Sequence, residues 1–424
     1  RYSETAEAQS LPDVNKRLLE ETVSDFVRSG ADLPKEKKER LEKVQEELAQ
    51  LTQKYSENVL DSTNAWDLVL DEDSRLKGLP DTALAILRSE AKAKDLGTDD
   101  EPKYRITLKA PSYIPVLEYA DDASLRKEVW EGTITMGYGG DFDNTALIGK
   151  ILKLRQESAE ILGKAHFADQ VLEKRMAKDG KAALSFVEEL AGKTIPFFQR
   201  EIDELKAFRK SMEPDFEGDF EPWDIAYWSE KFRKAEFDFD EEEVRPYFSI
   251  NRVIDGMFRL TEKIFGFEIV ERDAVYAKPG ETPETDGVEV WHPEVKFYEL
   301  RDAASGEQLG SFYADWHPRE EKRGGAWMNY LRTGSPPQGG KDREPHLGLI
   351  CGNLTPSSAN KPALLTHREV ETVFHEFGHL LHHLLGDIPV KSLNGVKVVW
   401  DFVELPSQIM ENFCWSRDSL DFFA

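Results

Sequence analysis

A mainly helical fold with one small β-sheet late in the chain is what this sequence predicts, on three observations. Apolar residues recur at steps of three and four through most of the first half, the spacing of helices that bury one face. Late in the chain, between about 267 and 351, β-branched and aromatic residues gather into successive short runs separated by turn clusters, the mark of a sheet. No unit repeats at a fixed period, which argues against a solenoid or propeller. With 424 residues and 40% hydrophobic content, the chain can bury a substantial core, in two or three domains or in one large helical body.

Local signals justify each element. Leu11 to Asn64 reads as two long helices broken at Gly30-Ala31-Asp32-Leu33-Pro34. In the second, Leu41, Val44, Leu48, Leu51 and Tyr55 form the seam of a helix lying along another, and the mixed charges from Lys35 to Lys43 form its wet face. Ala65 to Leu70 and Tyr104 to Leu108 read as short strands flanking a helix from Asp81 to Lys94, which Gly97 terminates. Helices are expected over about 111–119, 122–136, 143–163, 167–177 and 181–211, the third capped within Asp143-Asn144-Thr145. A loop from Pro214 to Trp223 leads to a helix from Asp224 to Ala235, with Tyr227, Trp228 and Phe232 facing the core, and another helix runs from Ile250 to Phe265. Three or four strands come next, Phe267 to Val275, Val288 to Leu300, Gln308 to Asp315 and Leu347 to Cys351, set apart by turns such as Lys278-Pro279-Gly280 and Ala304-Ser305-Gly306. The Gly- and Pro-rich stretch from Thr333 to Arg343 is expected to be the least ordered. Thr366, with Glu369 three residues on, then caps a long helix.

Composition bounds the function. A net charge of −26 argues against nucleic acid and anionic membrane surfaces as partners, and reads as a solvated acidic surface before a field that steers basic peptides. Cys351 and Cys414 are the only cysteines, so no disulfide framework is implied and a reducing compartment fits. With no apolar run of membrane-spanning length and no signal-peptide pattern, the expectation is a cytoplasmic protein without a membrane segment. Gly137-Tyr138-Gly139-Gly140 lacks the lysine and hydroxyl residue of a phosphate loop. The acidic run from Phe237 to Glu243 lacks the glycine and ligand spacing of a calcium loop. Arg1 at the start and Asp421-Phe422-Phe423-Ala424 at the end read as cuts rather than natural termini.

The chemistry concentrates in Val373-Phe374-His375-Glu376-Phe377-Gly378-His379-Leu380-Leu381-His382-His383. Two histidines four apart on a helix share a face and can share one Zn²⁺, with Glu376 beside the metal's open position. A chance match in an amphipathic helix is the competing reading. Zinc held by two imidazoles needs a third protein ligand and keeps one position for water. Downstream the carboxylates are Asp387, Asp401, Glu404 and Glu411; the last three, with Gln408, form a polar stripe on a helix expected over about 401–416. Flanking Trp400, Phe402 and Trp415 favour a buried stripe that faces the histidine helix over one that faces water. Spacing does not choose among these carboxylates.

Several segments carry a resemblance. Pro362-Ala363-Leu364-Leu365-Thr366-His367 through His379, and Asp401-Phe402-Val403-Glu404-Leu405-Pro406-Ser407-Gln408-Ile409-Met410-Glu411-Asn412-Phe413, resemble the signature of the thimet oligopeptidase and oligopeptidase A family of zinc metallopeptidases. Ser56 to Trp66, Val244-Arg245-Pro246-Tyr247-Phe248, and Phe312-Tyr313-Ala314-Asp315 with Pro318-Arg319-Glu320 resemble its bacterial oligopeptidase A branch. The resemblance implies a zincin-like fold with two helical lobes around a deep substrate channel, divided here at about 1–160 and 161–424. It also implies one zinc ion held by His375, His379 and Glu404, Glu376 as general base, and short unfolded peptides as substrates. Glu371 and Asp401 are candidates to orient a ligand, and His382 and His383 read as packing or supporting histidines. The family's N-terminal start and its C-terminal part, which carries substrate-binding tyrosines and a histidine, are missing from this sequence. The catalytic lobe is therefore expected to be incomplete at its C-terminal side, with a second polypeptide as a candidate source of the rest. Two alternatives stay open: a dipeptidyl carboxypeptidase of the same family, and a non-catalytic helical interaction protein with a structural metal site.

Overall fold

The computed structural model describes residues 2–71, 74–98, 100–238, 240–278, 287–357 and 363–424; Phe239, Pro279-Gly280 and Pro362 lie outside them. The helices and strands in chain order are α1 (Ala6–Gln9), α2 (Asp13–Arg28), α3 (Lys35–Ala65), β1 (Asp67–Leu70), α4 (Asp81–Lys92), β2 (Tyr104–Thr107), α5 (Ala110–Tyr119), α6 (Ala123–Ile134), α7 (Thr145–Ile161), α8 (Phe167–Leu172), α9 (Gly180–Met212), α10 (Ile225–Phe237), α11 (Glu241–Val244) and α12 (Ile250–Phe265). Then come β3 (Phe267–Arg272), β4 (Ala274–Tyr276), β5 (Val288–Val290), β6 (Lys296–Asp302), β7 (Gln308–Asp315), β8 (Trp327–Arg332), β9 (His346–Cys351), α13 (His367–Leu384), α14 (Glu404–Glu411) and α15 (Arg417–Phe423). The mainly helical expectation with a small sheet holds.

In the first part, α3 packs along α7, and Leu41 and Val44 of the expected seam are buried while Tyr55 reaches solvent. Strands β1 and β2 pair antiparallel, Asp67 opposite Thr107 and Leu70 opposite Tyr104, and α4 covers them. Leu76, Leu87, Ile106, Val116, Leu125 and Val129 close a core there. Arg126 joins this part to α10: its guanidinium meets Asp224 at 2.5 Å in a buried ion pair and lies 3.9 Å from the centre of the Tyr227 ring. Tyr227 and Trp228 are buried and Phe232 partly so, as expected. Helix α9 is different. Leu205 is its buried residue, while Phe186, Leu190, Phe197 and Phe198 are exposed.

The larger core lies around the sheet. Its strand order is β3-β6-β7-β9-β8, antiparallel throughout except for the parallel β7–β9 pair, and β4–β5 form a separate parallel pair. Helices α12 and α13 pack against it through Met257, Phe258, Phe374, Phe377 and Leu380, with Phe267, Leu300, Phe312 and Ile350 from the strands. Asp315, at the end of β7, anchors the loop that leads to β8. Burial pushes its carboxyl up, yet hydrogen bonds from Arg319, Lys322 and Trp291 prevail and hold it down at about 2.

Several expectations need correction. The sheet gains β8, which sequence reading passed over. The stretch from Phe267 to Val275 divides at Asp273, and that from Val288 to Leu300 divides at a turn around Pro293, which has no N–H for a ladder. Helix α8 stops at Leu172, because Asp179 caps α9 through the Ala182 N–H and Lys178 adopts φ 70° just before it. Asn144 occupies the N-cap position of α7 without a side-chain cap; Asp143 instead accepts the Thr145 N–H at 3.0 Å. The stretch from Thr333 to Arg343 is tied down by bridges between Ser335 and Glu344 and between Gln338 and Lys341, with Thr333 and Ser335 buried. Lastly, α14 begins at Glu404, so Asp401 and Phe402 lie in the turn before it.

Candidate metal centre

The site is built on α13. Thr366 accepts the Glu369 N–H at 3.1 Å and Glu369 accepts the Thr366 N–H at 2.8 Å, the reciprocal cap expected from the sequence. Val373, Phe374, Phe377, Leu380 and Leu381 turn to the core, which leaves His375 and His379 on the other side with their ring centres 4.9 Å apart. Helix α14 can lie against that face because residue 378 is glycine. A Cβ there would meet the Pro406 carbonyl oxygen and the Ser407 Cα, each at 2.7 Å. Phe377 and Gly378 inside the motif thus do separate jobs, one filling the core and one admitting the next helix.

That approach brings Glu404 over the two imidazoles. One carboxylate oxygen of Glu404 lies 3.1 Å from His375 Nε2 and 3.0 Å from His379 Nε2. Ligand atoms of His375, His379 and Glu404 all lie within 4.8 Å of one another, the only such group of three among the described residues. The donor set suits a metal. His375 Nδ1 lies 2.7 Å from Glu411 Oε1 and donates its proton there, which turns Nε2 toward Glu404 and His379. Burial moves His379 toward the neutral form, although the Glu404 charge opposes this. Two imidazole nitrogens and a carboxylate oxygen converge on one point, an arrangement that a cation satisfies.

Glu376 lies at the side of this group and is buried. Burial pushes its carboxyl up to about 7, against the His375 charge and with the Glu404 charge adding; the Met328 backbone N–H pulls it down. Met328 belongs to β8, the edge of the sheet, whose other side carries no described strand. Sequence reading missed this contact because β8 is largely exposed and shows no buried alternation.

The remaining candidates separate cleanly. Asp387 pairs with Arg343 at 3.0 Å, away from the triad. Asp401 accepts the backbone N–H groups of Met176 and Ala177 at 2.9 and 3.0 Å and tethers the turn after α8. Glu371 accepts the Trp415 indole N–H at 2.7 Å. His382 lines an apolar cavity, with its Nδ1 buried and unpartnered. His383 donates to the Arg332 carbonyl at 3.1 Å and rests on His346, holding the end of β8. The carboxylate stripe does face α13, as expected, but through Glu404 and Glu411 alone; it is not buried, since Glu404, Gln408, Trp400 and Trp415 are all exposed.

The chain is 39% identical over 421 residues to oligopeptidase A of Salmonella typhimurium, covering 98% of this chain and 59% of that protein. It is 38% identical to the organellar oligopeptidase A of Arabidopsis thaliana, over 98% of this chain and 52% of the relative, and 31% identical to the dipeptidyl carboxypeptidase of Escherichia coli, over 96% and 56%. The chain therefore spans between half and three fifths of the length of these relatives. Residues 116–424 match the description "Peptidase family M3", and the chain belongs to that family.

Proposed function

We propose that the chain carries the metal-binding part of a zinc-dependent oligopeptidase that hydrolyses short unfolded peptides. The convergence of His375 Nε2, His379 Nε2 and one Glu404 oxygen beside the buried Glu376 carries this reading. His375, His379 and Glu404 would hold the ion. Zinc bound there acidifies water and polarises a scissile carbonyl. Glu411 keeps His375 in the tautomer that presents Nε2. Glu376 takes the proton of the attacking water and returns it to the leaving amine, a task for a carboxyl whose pKa lies near the working pH. The open edge of β8 aligns an extended peptide by main-chain hydrogen bonds, which selects unfolded substrates.

The wider arrangement belongs to the same proposal. Two lobes, at about 1–160 and 161–424, frame a channel over the site, and the reaction takes place in the cytoplasm, where buried free thiols such as Cys351 and Cys414 persist. Exposed apolar residues on α9 and on α14, Leu405 and Ile409 among them, support a further stretch of polypeptide covering them. The 424 residues alone are then expected to bind one zinc ion but to cleave weakly.

Glu376→Gln is expected to retain zinc, measured by elemental analysis, and to lower hydrolysis of a quenched fluorescent peptide by about 10²–10⁴-fold. His375→Ala should lose the metal. Unchanged hydrolysis in Glu376→Gln would return the site to the structural-metal alternative, and full activity of the isolated chain would overturn its half-site status. Release of dipeptides only, from the C-terminus of an N-blocked peptide, would favour the dipeptidyl carboxypeptidase reading.

A further inference from the structure

A cavity of about 300 Å³ lies along the first turns of α13, upstream of the metal centre, where Thr366, Arg368, Glu369 and Thr372 line it. Thr372, in its wall, stands one helical turn before Glu376 on the same face of α13, and Ala326, also in the wall, comes two residues before Met328. Its flanks are mostly apolar, built from Ile86, Pro111, Ile114, Pro115 and Leu354. A second cavity, of about 290 Å³, shares Glu118 and Tyr119 with the first, so those two residues form the wall between them.

The charged groups lining the cavity differ in one respect. Arg245 is engaged by Glu242 at 2.6 Å and by the Leu364 carbonyl at 3.0 Å. Glu369 is committed to Thr355 and Thr366, and Glu241 to Arg233 at 3.1 Å. The Glu118 carboxylate makes no hydrogen bond or ion pair with any described residue. Glu118 is half-buried; a carboxylate partly withdrawn from water without a partner is costly, and a cation brought to it recovers part of that cost. Burial, followed by the charges of Glu241 and Glu230, pushes the Glu118 carboxyl up to about 7. Glu118 belongs to no group of three donors among the described residues that could hold a metal ion, so the fitting cation is a single charge on a long stem.

We propose that this cavity is a specificity pocket for a basic side chain of the peptide, lysine or arginine, whose methylenes lie along the apolar wall and whose cationic head pairs with Glu118. The proposal rests on the oligopeptidase reading of the same site and names a substrate class for it. Arg368 lines the same cavity and has no ion pair to any described residue; it competes with the incoming cation for Glu118.

The test uses zinc-loaded Glu376→Gln chain, which binds without cleaving, and blocked peptides that carry lysine or the uncharged isostere norleucine at successive positions. At one register lysine is expected to bind about tenfold more tightly, the scale of one charge-assisted contact. Adding Glu118→Gln should erase that difference and leave the norleucine peptide unchanged, whereas adding Arg368→Ala should enlarge it. An equal lysine-to-norleucine ratio with and without Glu118→Gln overturns the pocket. So does a preference for glutamate that Arg368→Ala abolishes, since that assigns the cavity to an anion. If no peptide binds the chain alone, as its half-site status allows, the pocket is decided by calorimetric titration with agmatine of the chain with and without Glu118→Gln, while the oligopeptidase reading rests on the Glu376→Gln and metal measurements. Binding confined to the chain that retains Glu118 upholds the pocket, and equal behaviour of the two overturns it.

Discussion

Glu411 does for His375 what spacing alone could not assign. As one of four downstream carboxylates it was indistinguishable in sequence from Glu404, because both lie on one stripe of the same helix, seven residues apart. Which of them reaches Nε2 and which Nδ1 depends on how far α14 slides along α13, a tertiary quantity set by the close approach at Gly378. The histidine pair and Glu376 were legible because four-residue spacing fixes a shared helical face without tertiary help. Asp401 was misleading for the same reason that Glu411 was ambiguous: it extends the periodic stripe, yet the helix starts three residues later and its side chain binds the Met176 and Ala177 N–H groups instead. Replacing Glu411 by Gln keeps the shape but removes the charge on His375 Nδ1. Zinc affinity, measured by competition with a chromogenic chelator, is expected to fall about 10–100-fold, with one ion still bound at saturation.

At the scale of elements, the long helices and the capped α13 were readable because their signals are local. Glu369 stands three residues after Thr366, and the reciprocal bonds of the cap come directly from that spacing. Thr366→Ala is expected to cost about 1 kcal/mol, read as a lower midpoint in urea unfolding with an unchanged slope, and Thr366→Ser to restore most of it. Strand β8 was not readable. Its six residues are held on one side by β9 and face no described strand on the other, so they are not sorted into a buried and a wet set, and the Gly324-Gly325 before them reads as loop. The anchored loop between Asp315 and Lys322 delivers the strand to its place, and that anchor is built from side chains distant from any motif.

For the whole molecule, a buried polar joint holds the sheet to the far end of α13. His346 donates to the Gly386 carbonyl at 2.9 Å and accepts the Gly334 N–H at 3.2 Å, His383 donates to the Arg332 carbonyl, and Asn394 is fully buried among them. Burial lowers both histidines, His383 to about 4, with the His346, Arg332, Arg343 and Lys397 charges acting in the same sense on one or the other and Asp387 opposing at His346. Their folded values lie below the unfolded value of about 6.5, so the unfolded chain binds more protons in between. Stability is therefore expected to be at its full level above about pH 6.5 and to decline as the pH falls toward 4, by an amount on the order of 3 kcal/mol for His383. Urea midpoints measured from about pH 7.5 to 4.5 would check this, and His383→Gln should flatten the decline in that window. The lobe division at about 160 remains an element of the proposal, since the core around Leu87 and Ile106 meets α10 through Arg126 and Asp224 rather than through a linker.

The edge of β8 that meets no described strand has a kinetic corollary under the proposed function. Main-chain hydrogen bonds do not distinguish an uncut peptide from the fragment left on the strand after hydrolysis, so release rather than bond breaking would limit turnover of the longer substrates. Accumulating fragments would then slow the reaction as competitors.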